Sequence, residues 1–146
     1  MKLSTRSEYA FLALLDLARA ERRGMVTLGT LARRHRLSRK YLARIMRRLE
    51  DEGLVRAKRG ASGGYVLGRP AGQISMAEVV RALDGPIASV RAASTYFYKP
   101  SAIEREPALV GFFREIRDMV ACKMERTTLR DMLRRERPFS ERTGTK

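Results

Sequence analysis

Ser38-Arg39-Lys40-Tyr41-Leu42-Ala43-Arg44-Ile45-Met46-Arg47-Arg48-Leu49-Glu50 has two chemically opposite sides. Leu42, Ile45, Met46 and Leu49 recur at the i, i+3, i+4, i+7 spacing of a buried helical stripe. Arg39, Lys40, Tyr41, Arg44, Arg47 and Arg48 fall on the other side, and no acidic residue occurs between Arg33 and Arg48. Ser38 is placed to cap this helix, since its hydroxyl can accept a free backbone N–H of the first turn. Upstream, Leu28, Leu31 and Ala32 give a shorter helix one apolar face, and His35-Arg36-Leu37 make a tight turn between the two. A short helix, a turn, and a helix with one apolar and one cationic side have the form of a DNA-reading unit.

Glu50-Asp51-Glu52 and then Gly53 close the second helix. Leu54-Val55 opens a strand, Gly60-Ala61-Ser62-Gly63-Gly64 forms a tip, and Tyr65-Val66-Leu67 returns. Glycines permit a tight turn there. With Lys58, Arg59 and Ser62 at or beside it, the tip reads as a wing reaching a minor groove. Phosphate-cradling nucleotide loops are a poor match, because neither GxGxxG nor Walker spacing is present.

Before this unit, Thr5 and Glu8 have capping-box spacing. Residues 9–20, nearly all apolar, predict a buried central helix, and Gly24 a stop. Met25-Val26 suggests a short strand. After the wing, Ser75 and Glu78 repeat the capping-box spacing. Met76, Val79, Val80 and Leu83 predict a helix beneath the wing that Gly85-Pro86 ends. Residues 87–94 read as a helical turn or two. Tyr96-Phe97-Tyr98 is an aromatic cluster that either packs on the core or a partner subunit, or lids a small-molecule pocket. From residue 108 the apolar positions Leu109, Phe112, Phe113, Ile116, Met119, Val120 and Met124, then Leu129, Met132 and Leu133, predict one helix of about 25 residues, roughly 38 Å long at 1.5 Å per residue. That outreaches a domain this small, so its seam is expected to meet a second copy of the chain.

The chain has 146 residues and a net charge of +15, from 31 basic and 16 acidic side chains. Residues 1–85 hold 18 of the basic and 8 of the acidic groups, so +10 lies with the reading unit. A polyanionic partner follows, and nucleic acid fits better than lipid because the apolar stripe of the basic helix is needed for a core. No apolar run reaches membrane-spanning length. One cysteine cannot form an internal disulfide, which points to a reducing, cytoplasmic setting. One histidine, one cysteine and no convergent carboxylate pair leave no catalytic set, so an enzyme is not expected. The lone Cys122 reads first as a small buried packing residue and second as a redox switch across the helix seam. His35 is expected at a helix C-terminus.

The stretches 3–10, 37–42, 49–55, 59–67, 74–85 and 126–131 together resemble the Rrf-type (IscR-, NsrR- and CymR-like) family of winged helix-turn-helix transcriptional regulators. The resemblance implies a mainly α fold with a small β-hairpin wing, made of a winged helix-turn-helix domain (1–85), a connecting loop (86–107), a long C-terminal dimerisation helix (108–134) and a flexible basic tail (135–146). It implies a homodimeric, sequence-specific regulator of double-stranded DNA, a repressor in the simplest case. Helix 38–50 would enter the major groove and wing 56–67 the minor groove. The expected contacts are Ser38, Arg39, Lys40, Tyr41, Arg44, Arg47, Arg48, Lys58, Arg59 and Ser62. A sequence-indifferent nucleic-acid binder, architectural or on RNA, is the alternative. Cluster-binding members carry three cysteines before the long helix. Residues 89–107 carry none, so neither an iron–sulfur cluster nor another metal is expected, and the effector is left as a small molecule, a partner protein or none. The turn usually has a glycine where this chain has Arg36, which predicts strain if φ is positive there.

Overall fold

A computed structural model describes residues 2–87, 93 and 99–135. Among these residues six α-helices and one β-hairpin follow in the order α1 (Thr5–Arg19), α2 (Leu28–Arg34), α3 (Arg39–Asp51), β1 (Val55–Lys58), β2 (Gly64–Leu67), α4 (Met76–Asp84), α5 (Pro107–Glu125) and α6 (Leu129–Arg135). Short 3₁₀ turns at Ala71–Gln73 and Ala102–Arg105 precede α4 and α5. The fold is the mainly helical, winged helix-turn-helix architecture the sequence predicts.

α1 is the pillar. Ala10, Ala13, Leu14 and Leu17 are buried against Leu31, Leu42, Ile45, Met46, Leu49 and Leu54 in one apolar cluster. Its outer side is not covered, and Leu12 stays 41% exposed. α1 starts differently from the reading of Thr5 as its cap. Ser4 is the N-cap, accepting the Ser7 N–H at 3.1 Å. A tertiary contact sets this frame: the Ser4 N–H donates to Asp84 Oδ2 at 3.0 Å, and the fully buried Ser7 hydroxyl donates to the same oxygen at 2.7 Å. The start of α1 is thereby tied to the end of α4.

Partial burial alone would push the Asp84 carboxyl up. The hydrogen bonds from Ser4 and Ser7 and the charge of Arg6 outweigh it and hold the group below the usual carboxylate range. A carboxyl depressed by folding stabilises the fold above its unfolded pKa, and that contribution disappears as pH falls through its folded value. Asp84→Ala is therefore expected to lower stability at pH 7 by about 1–3 kcal/mol, mostly by orphaning the buried Ser7 hydroxyl. The gap from wild type should narrow, by the share that depends on the carboxylate charge, as urea denaturation is repeated towards pH 3; a constant gap would contradict the assignment.

In the hairpin Val55 pairs with Leu67 and Lys58 with Gly64. Val26 adds a single bridge to the free edge at Tyr65, all that forms of the expected strand at Met25-Val26. At the tip, a Cβ on Gly63 would lie 2.1 Å from the Lys58 carbonyl oxygen, so only glycine fits. The capping box of Ser75 and Glu78 opens α4, which buries Val79, Ala82 and Leu83 in the main cluster and Ala77 and Val80 against α5.

The C-terminal segment departs most from expectation. The single helix predicted over 108–134 is two, α5 and α6. Thr127 turns its hydroxyl back to the Lys123 carbonyl at 2.7 Å. Thr128 and Asp131 then cap α6 reciprocally, the Thr128 N–H donating to Asp131 Oδ2 (2.9 Å) and the Asp131 N–H to Thr128 Oγ1 (3.2 Å). α6 packs back on α1 through Leu129, which is fully buried. Two backbone hydrogen bonds, Met76 N–H to the Thr127 carbonyl and Leu129 N–H to the Ile74 carbonyl, join this break to the start of α4. α5 itself lays Val120 and Met124 on Ala77, Val80 and Ile87 and buries no residue fully. The aromatic cluster at 96–98, most of the turns read at 87–94 and the tail beyond Arg135 lie outside the described residues.

Candidate nucleic-acid interface

The reading helix is built as its pattern demands. Ser38 accepts the Tyr41 N–H at 3.1 Å, and Leu42, Ile45, Met46 and Leu49 are at most 2% exposed. This fixes which side of α3 faces outward. Arg36, in the turn before it, has φ 55°, the left-handed region that a glycine would occupy without strain. At the far end Gly53, at φ 73°, terminates the helix.

The ten expected contact residues are not equivalent. Lys40 and Arg44 on α3, and Lys58, Arg59 and Ser62 on the wing, are exposed, and no ion pair forms at these four cations among the described residues. Ser38 is exposed, with its oxygen engaged in the cap. Arg39 is also exposed but leans towards α2, its guanidinium against Gly29. Tyr41 is half-buried and meets Tyr9 edge-on at a ring separation of 6.1 Å. Arg47 pairs with Asp51 at 3.2 Å. Arg48 pairs with Glu52 at 2.9 Å and donates to the Ala82 carbonyl at 2.8 Å, tying α3 to α4. These last two guanidinium groups sit near the acidic end of α3 and are partly engaged by the protein itself.

Between α3 and the wing lies an open cleft of about 760 Å³, lined by Thr27, Gly29, Arg39, Arg47 and the wing residues 57–61 and 63–65. Glu50 and Asp51 form its acidic end. Positive charge is thus concentrated towards the N-terminal half of α3 and the wing tip.

One group escaped the sequence reading. Asp16, on α1 with a side chain 3% exposed, binds Arg19 (3.0 Å), Arg34 (3.2 Å) and His35 (2.6 Å). His35 does cap α2, as expected for a helix C-terminus, but its ring is held by this carboxylate. A single acid inside an otherwise apolar helix was the available signal. Cys122 is exposed on α5, unlike the buried packing residue first expected. Among the described residues no group of three or more His, Cys, Asp or Glu is placed to hold a metal ion, and no helix is long and apolar enough to cross a membrane.

Residues 3–135 match the Rrf2 family, described as iron-dependent transcriptional regulators. The chain is 34% identical over 132 residues to the HTH-type transcriptional regulator CymR of Bacillus subtilis, covering 90% of this chain and 89% of that one. The solved structure of B. subtilis CymR, titled a global cysteine regulator, superposes with a TM-score of 0.81 at 32% identity, covering 94% of this chain and 99% of that chain. The IscR structure from T. potens gives 0.72 at 27% identity, covering 100% and 93%.

Proposed function

The chain belongs to the Rrf2 family of transcriptional regulators, and on that premise we propose how this DNA-binding regulator engages its site. Two copies pair through the outer side of α5, and each presents α3 to a major groove and the wing to the adjoining minor groove. The carrying observation is the exposed charge of Lys40 and Arg44, without an ion pair among the described residues, on a helix whose other side is locked in the core. Ser38 and Arg39 border the same surface, and Lys58, Arg59 and Ser62 extend it to the wing. Tyr41, Arg47 and Arg48 support it from positions partly committed to the protein. Phosphate contacts supply much of the affinity, so binding weakens steeply with salt. The sequence-indifferent alternative is disfavoured by the family.

An iron–sulfur cluster would need several thiolates. The chain has one cysteine, on α5, and one histidine, held by Asp16. This donor set does not fit a cluster, so the signal falls to a small molecule or partner protein, with repression by site occupancy in the cytoplasm as the simplest outcome.

Footprinting on genomic fragments tests the reading. Protection of a two-fold-related sequence with half-sites about 34 Å apart is expected. Protection without that symmetry would overturn it. Protein purified without oxygen should be colourless; charge-transfer absorption in the visible would overturn the cluster-free assignment.

A further inference from the structure

We propose that Asp16 is a positioning residue for DNA reading, a buried anion that sets the α2–α3 turn and through it the pitch of α3. Its carboxylate lies on α1, remote in sequence from the reading unit. One oxygen takes Arg19, three residues on along the same helix, and Arg34. The other takes His35. Arg34 and His35 are the end and the cap of α2. They directly precede Arg36, whose positive φ makes the turn, and Ser38, which caps α3.

Apolar packing of Leu42, Ile45, Met46 and Leu49 holds α3 against the core but is not directional. A carboxylate hydrogen-bonded to Arg19 at 3.0 Å and to His35 at 2.6 Å, with Arg34 ion-paired at 3.2 Å, is directional. A non-glycine residue at positive φ persists where its surroundings over-determine it. Here the chain is anchored on both sides of Arg36: His35 to Asp16, and the Leu37 N–H to the Ala32 carbonyl at 2.9 Å. Releasing the Asp16 anchor lets the turn relax, and Lys40 and Arg44 move with it. Arg19 and Arg34 keep about half their side-chain surface exposed, so the anion does not silence them.

The inference has a distinguishing sign. Asp16 is a negative charge in a DNA-binding protein, so on electrostatics alone its removal tightens binding to every duplex. As a positioning residue, its removal weakens binding to the preferred duplex. The test compares wild type, Asp16→Asn, His35→Ala and the double variant. Each is titrated at one salt concentration against a duplex selected by the wild-type chain from a random pool, and against its scrambled version. Circular dichroism establishes that each variant is folded at the titration temperature. Each single variant is expected to lose about tenfold or more on the selected duplex. On the scrambled duplex Asp16→Asn should be unchanged or tighter. The double variant should be no worse than the worse single, because both act through one contact. Equal tightening on both duplexes, equal loss on both, or additive losses would overturn the proposal. If Asp16→Asn does not fold, His35→Ala decides alone, since it leaves the Asp16–arginine pairs in place; undiminished preference for the selected duplex would then overturn it.

Discussion

Exchanging Phe112 and Met119 for glutamate is expected to split the proposed dimer and weaken operator binding by roughly 10²–10⁴-fold, the range gained when two linked modules bind together. The expectation rests on where α5 is bare. Its inner side is occupied, with Val120 and Met124 on α4 residues. Phe112 and Met119, seven residues apart and so on one side of the helix, stay 54% and 69% exposed, and Leu109 nearer its start is 48% exposed. Large apolar groups aligned on one side of a helix mark an interface when no part of the same chain covers them. Among the described residues, the only ring packed on Phe112 is Phe113 on the same helix, 5.4 Å away. The double variant should therefore melt like a folded monomer while its mass by light scattering halves. A variant that keeps dimer mass would place the interface elsewhere. One that binds operator as well as wild type would remove the dimer from DNA recognition.

The reading unit was legible because its signals are local. A serine cap, a four-residue apolar stripe and a glycine terminator each lie within one turn of what they specify, and α3, the wing and α4 formed as read. The missed features depend on partners far along the chain. Ser4, not Thr5, caps α1 because Asp84, 80 residues away, takes its N–H. Asp16 has no role in the apolar pattern of residues 9–20 because Arg34 and His35 meet it only after α2 folds across. Two misses had a local signal. Thr128 and Asp131 have N-capping spacing, which should have broken the long helix despite its continuous apolar pattern. Arg47 and Arg48 stand four residues before Asp51 and Glu52, the i, i+4 spacing of surface ion pairs. Counting them with Lys40 and Arg44 as one cationic face overstated how much of that face is free.

That distinction separates the cations by the kind of loss each should cause. Arg44 is exposed, forms no ion pair among the described residues and lies midway along α3, so a base edge is its expected partner. Arg44→Ala should cost about 1–3 kcal/mol on the operator, roughly 5- to 150-fold, and relax preference mainly at one base pair per half-site. Lys58 lies at the end of β1 beside the wing tip, where backbone phosphates are the natural partner. Lys58→Ala should weaken all duplexes alike and flatten the dependence of log K on log salt by about one per protomer. Arg48→Ala should act on neither quantity first. It breaks the bond to the Ala82 carbonyl that joins α3 to α4, so its primary effect is a lower melting temperature. Selecting preferred sequences with each variant, and repeating the titrations over a salt series, distinguishes the three. If Arg44→Ala changes the salt slope but not the preferred sequence, α3 is lying along the backbone rather than in the groove, and the assignment of its outer face to base reading fails.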